Sequence, residues 1–146
     1  MILLDTTVLV YAVGDAHPLR DPCRAVLEAH AAGRIEATTT VEVVQEFVHI
    51  RSRRRDRADA ARLGRQYLDA LAPVSTTTDD LDRGLGLFEA HPSIGAFDAI
   101  LAAVALGHNA TALISADRAF GDVPGLAWVD PASGALEDLL RAHSGQ

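Results

Sequence analysis

A few acidic residues stand where a carboxylate is either costly or well aimed. Asp5 ends the apolar run Ile2-Leu3-Leu4 and precedes Thr6-Thr7, so it projects from the carboxyl end of a strand at the start of a helix, a place that also suits a plain N-cap. Glu42 and Glu46 lie four apart on a helix expected over 40–54 and therefore share a side. Glu46 borders the stripe Val43, Phe47 and Ile50 and is the better placed as a half-buried ligand. Glu42 lies farther round toward His49 and Arg53, and either acid could instead be a solvated helix residue. Asp98 is the one polar residue in Phe97-Asp-Ala-Ile-Leu-Ala-Ala-Val-Ala-Leu106, where a carboxylate is costly unless it is paired, metal-bound or capping the helix. Asp117 follows Ala112-Leu113-Ile114 after Ser115-Ala116, again at a strand's carboxyl end. Asp122 is held in reserve, since beside Gly121 and Pro124 it reads more readily as a loop acid.

Carboxylates brought together repel one another unless a cation intervenes. Hard divalent ions meet that need: Mg2+ or Mn2+ takes oxygen ligands, keeps several waters, and typically binds through a few carboxylates plus the phosphates of a substrate. Other phosphate chemistries are closed to this chain. All 13 basic residues are Arg, so P-loops, Schiff bases and lysine-dependent phosphatase or receiver sites lack their ammonium group. Asp5 is followed by Thr6 and Thr7 rather than by an acid two positions on, which also departs from the phosphatase pattern.

The elements that must position these acids follow from periodicity. Strand-length apolar runs occur at Ile2–Leu4, Ala112–Ile114 and 126–129, with weaker ones at 35–38 and 73–75. Amphipathic helices are expected over 6–13, 18–32, 40–54, 57–71, 78–90 and 94–107. That alternation predicts one α/β domain over 1–146. Its mostly parallel sheet of about five strands is flanked by helices in three layers, and its ligand crevice lies outside the carboxyl ends of the strands.

Composition agrees with a single core: 146 residues, 49% apolar and 23% charged. One cysteine makes no internal disulfide and points to a reducing cytoplasm, while the opening apolar run, cut by Asp5, is neither a leader peptide nor a membrane span. The net charge of −7 is wrong for a protein that grips nucleic acid over its whole surface. Segment 51–57 runs the other way, with Arg51, Arg53, Arg54, Arg55 and Arg57 against Asp56. It could steer an RNA backbone, pair with an acidic partner, or simply be solvated.

Four strings in this order carry a resemblance over nearly the whole chain: Ile2-Leu-Leu-Asp5-Thr-Thr-Val-Leu9, Thr40-Val-Glu-Val-Val-Gln-Glu46-Phe47, Phe97-Asp98-Ala-Ile-Leu-Ala-Ala and Ile114-Ser115-Ala-Asp117-Arg-Ala-Phe120. The sequence resembles the PIN (PilT N-terminus) domain, and within it the VapC-type toxin ribonucleases of bacterial toxin–antitoxin pairs. The resemblance implies a metal-binding quartet of Asp5, Glu46, Asp98 and Asp117, with Glu42 a rival to Glu46. Thr6 or Thr7 and Ser115 become polar helpers, Ser115 standing where the family often has Thr. It further implies Mg2+- or Mn2+-dependent RNA hydrolysis leaving 5′-phosphate and 3′-hydroxyl ends, a homodimer, and an antitoxin whose carboxyl-terminal segment occupies the groove. Rival readings are a catalytically weak module that binds RNA or antitoxin, a metal-dependent phosphatase, and a metal-free ribonuclease using His49, His91 or His108. No two of those histidines are spaced to act as acid and base.

Overall fold

Ile2–Leu4 forms β1 with every side chain buried, as a strand covered on both faces must be. The computed structural model describes residues 1–142; residues 143–146 of the expected domain lie outside the described residues. Beyond β1 the chain runs through α1 (Thr6–Ala12), α2 (Arg20–Ala31), β2 (Ala37–Thr38), α3 (Val41–Ser52), α4 (Arg57–Leu71), α5 (Thr78–Ala90) and α6 (Ala96–Gly107). It then forms β3 (Ala112–Ile114), a 3-10 turn (Arg118–Asp122), β4 (Trp128–Val129) and α7 (Gly134–Ala142). The strands form one sheet in the order β2-β1-β3-β4, every neighbouring pair parallel, flanked by the helices.

Four strands replace the expected five or so, and the difference lies at 73–75. Pro73 has no N–H to give to a ladder, and Val74 makes only an isolated parallel bridge to Thr40, its N–H reaching Thr39 O at 2.9 Å. The helices expected over 57–71 and 78–90 coincide with α4 and α5. α6 starts two residues later than expected, because Gly95 is its extended N-cap. α7 was not anticipated; it buries Leu136 and packs on α2.

The strand order places the site. From β1 the chain first adds β2 on one side and later β3 on the other, so the connectivity switches direction between β1 and β3, and a crevice opens there at their carboxyl ends. The ladder continues one residue past each strand, with Asp5 N–H bonding Ile114 O at 3.0 Å and Ser115 N–H bonding Val129 O at 3.2 Å. Helix packing fixes the other walls. Phe47 of α3, buried, meets Tyr67 of α4 edge-on with ring centroids 4.9 Å apart, and the Tyr67 hydroxyl donates to Leu9 O at 2.9 Å. α6 presents Ala99, Ala102, Ala103 and Ala105 to the core, and its crossing with α5 is so close that a Cβ on Gly84 would stand 2.7 Å from Ile100 Cα.

Candidate active site

Asp5 sits 4% exposed at the N-cap of α1, and the bonds it accepts converge on a single oxygen. Oδ2 receives the Ser115 hydroxyl (2.7 Å), the Thr7 hydroxyl (2.7 Å) and the Thr7 N–H (3.2 Å). Oδ1 has no hydrogen bond from the described residues. The capping alternative is thus part of the answer: one oxygen caps and is braced, while the other stays uncommitted. Ser115, wholly buried, also accepts the Asp117 N–H at 2.9 Å, and Thr7 Oγ1 accepts the Ala116 N–H at 3.0 Å. Asp117, exposed, caps the 3-10 turn by accepting the Ala119 N–H at 2.9 Å. Two strand ends 110 residues apart are joined into one polar network.

The helix side is built differently. Asp98 makes no capping bond on α6, and no hydrogen bond from the described residues reaches its half-buried carboxylate. Burial, with repulsion from Asp5, Asp117 and Glu46 added, pushes its pKa up to about 7. Glu46 is exposed rather than half-buried: it stands on the rim, where Thr6 donates to its Oε2 at 2.5 Å. Glu42 accepts the Thr76 hydroxyl at 2.9 Å and faces a neighbouring cavity.

Asp5, Glu46, Asp98 and Asp117 line one groove of about 270 Å3, together with Thr6, Thr7, Val10, Tyr11, Ile50 and Arg54. Asp122 is exposed at the far end of the 3-10 turn and does not line it. Tyr11 was not singled out from the sequence, although it follows Thr7 by one helical turn and so shares its face. The donor set suits a hard cation: every candidate ligand is a carboxylate or hydroxyl oxygen, and Asp98 is a desolvated carboxylate with no donor of its own. Among the described residues no three acids, histidines or cysteines already form a closed ligand set for an ion. Mg2+ tolerates that, since it usually takes one or two carboxylates and retains waters.

The arginine cluster divides. Arg51 is committed: its Nε meets Asp59 Oδ2 at 2.7 Å, its Nη1 meets Val13 O at 3.1 Å, and it is the leading cause of the lowered Asp59 pKa. Arg51 therefore ties α3 to the end of α1 and the start of α4, a structural commitment that its reading as an RNA contact did not include. Arg55 pairs with Asp15 at 2.9 Å. Arg53 caps α3, Arg57 opens α4, and both are exposed with no side-chain partner among the described residues. Arg54 alone of the cluster lines the acidic groove.

The PIN domain family model matches residues 2–126. The chain is 54% identical to Ribonuclease VapC7 of Mycobacterium tuberculosis over 144 residues, covering 96% of this chain and 98% of that one. It is 31% identical to Ribonuclease VapC13 of the same organism over 131 residues, covering 86% and 97%. Its fold matches VapBC2 from Rickettsia felis, solved bound to a promoter DNA fragment, with a TM-score of 0.71 at 22% identity over 89% of this chain and 98% of that one. PAE2754 from Pyrobaculum aerophilum matches with a TM-score of 0.67 at 21% identity over 99% and 90%.

Proposed function

This chain belongs to the PIN domain family, among its VapC ribonucleases, and from that premise we propose that it is a divalent-metal-dependent endoribonuclease and the toxin of a toxin–antitoxin pair. The observation that carries the reading is the groove at the β1/β3 switch point, which four carboxylates line and in which one of them, Asp98, has no donor among the described residues. Asp5, Glu46, Asp98 and Asp117 would hold Mg2+ or Mn2+. When bound, the ion supplies Lewis acidity, offsetting the charge that builds on a scissile phosphate and acidifying water.

The chain's own residues do the rest. Ser115 and Thr7 fix Asp5 Oδ2 and leave Oδ1 uncommitted, and Thr6 holds Glu46 at the rim. Arg54 puts one positive charge into an acidic groove and draws in the phosphodiester. Arg53 and Arg57 extend that attraction outside it, and Arg55 joins them when its exposed pair with Asp15 opens. No side chain is required as a covalent nucleophile: water would add to phosphorus as the P–O3′ bond breaks, with a proton passing to the leaving 3′-oxygen, which gives 5′-phosphate and 3′-hydroxyl ends. The same reading includes a homodimer, an antitoxin partner covering the groove, and a cytoplasmic setting. No helix among the described residues is long and apolar enough to cross a membrane.

Labelled single-stranded RNA incubated with Mg2+, Mn2+ or EDTA tests the proposal. Wild type is expected to cut only with metal, and Asp5→Asn and Asp98→Asn not at all; equal cutting in EDTA or by the variants overturns the metal mechanism. The alternative outcome is a PIN-like binding module without turnover. RNA bound but uncut in Mg2+ and Mn2+ would select it.

A further inference from the structure

A second cavity of about 320 Å3 adjoins the catalytic groove and shares Asp5, Glu46 and Asp98 with it. Its remaining wall is different in kind. Phe97, on the first turn of α6 and next to Asp98, is 79% exposed, and Leu81 on the first turn of α5 is 42% exposed. Leaving such rings and branched chains in water forgoes the gain of burying them. Ile100 of α6 and exposed Thr78 line the same cavity. The result is a slot lined by an aromatic ring and branched aliphatic chains that shares three carboxylates with the neighbouring groove.

Resting on the nuclease reading above, we propose that this slot is a nucleobase subsite: it receives the unpaired base beside the scissile phosphate, stacked on Phe97, and favours a base with an exocyclic amine. Sequence-selective recognition of single-stranded RNA works by splaying bases onto aromatic rings and reading their edges with hydrogen bonds, and the slot supplies both. Glu42 supplies the edge contact. Its carboxylate lines the slot, accepts one bond from the Thr76 hydroxyl at Oε2, and keeps Oε1 as an acceptor for an amine donor. Glu42, the rival to Glu46 in the sequence, thus takes part in recognition instead of metal binding. A second copy of the chain is the competing occupant, since Leu85 and Phe88 continue the exposed apolar line along α5.

The test is binding of short fluorescent single-stranded RNA to the full chain carrying Asp98→Asn, which removes turnover, with an abasic residue scanned along the strand. At one position the abasic RNA is expected to bind about tenfold more weakly. Phe97→Ala should cause a similar loss for intact RNA and almost none for that abasic RNA, with Phe97→Trp restoring affinity. Glu42→Gln should reduce the preference for cytosine, adenine or guanine over uracil at that position. Phe97→Ala weakening both RNAs equally, or neither, overturns the subsite. So does a shift from dimer to monomer in sedimentation with RNA affinity unchanged, which would assign the face to a second copy. If wild type neither binds nor cuts RNA, the nuclease reading itself falls. If it cuts RNA and Phe97→Ala changes nothing, only the subsite falls.

Discussion

The two sides of the groove are held by different forces. On the strand side Asp5 is locked by the Ser115 and Thr7 hydroxyls and the Thr7 N–H, all on one oxygen. On the helix side Asp98 is placed only by the packing of α6 and is surrounded by like charge. The strand side therefore gains stability from its acid, whereas the helix side bears a cost that only a proton or a cation relieves. The proposed function would use both: a fixed reference point, and a site whose unmet charge would draw a cation in.

Exchanging the acids separates the two sides. Asp98→Asn is expected to lower single-turnover cleavage by at least about a hundredfold, since several kcal/mol of charge stabilisation depend on the ion, yet to leave the metal-free melting temperature unchanged or higher. Asp5→Ala should lose as much cleavage and also destabilise the fold by about 1–3 kcal/mol, because buried Ser115 and Thr7 hydroxyls lose their acceptor. Equal stability losses would erase the distinction. Arg51→Ala should likewise cost about 1–3 kcal/mol in denaturant unfolding, as a charged bond to Asp59 and a bond to Val13 O disappear. Unchanged stability there would return Arg51 to the candidates for RNA binding.

A pH titration sharpens the contrast. The Asp98 carboxyl is raised from 3.8 to about 7, so the folded protein holds that proton more tightly than the unfolded chain does. This contribution is fully present below about pH 4 and is lost as the pH rises through about 7. Metal-free melting temperatures should decline across that window, Asp98→Asn should remove the decline, and metal affinity should rise over the same range. A slope unaffected by Asp98→Asn would place the repulsion elsewhere. The smallest effect is expected at Arg54. Arg54→Ala should leave stability within about 0.5 kcal/mol, weaken RNA binding a few-fold, and lessen the salt slope by about 0.7. An unchanged slope would remove Arg54 from the phosphate path.

Much of the strand side was legible in the sequence because it is local: Asp5 after Ile2–Leu4 and Ser115 after Ala112–Ile114 follow directly from apolar runs that end in polar residues. Asp98 was legible for the opposite reason, as the one charge in an apolar helix. The state of each arginine was not, because it depends on Asp59, Asp15 and Val13, which reach the cluster only through tertiary packing. Periodicity ranked Glu46 ahead of Glu42 but made it half-buried, whereas both are exposed and part company where Thr6 and Thr76 approach them. The short elements were misjudged where a few residues carry the signal: 73–75 stops at one bridge, and α7, entered through Pro131 and Gly134, gave little helical warning.

The ladder joining Asp5 to Ile114 and Ser115 has a consequence for synthesis. Asp5 is synthesised 110 residues before the Ser115 hydroxyl that orients it. Until Ser115 has been added the chain holds only a loose carboxylate, so the strand side of the groove is assembled after synthesis has passed both ends of that bond.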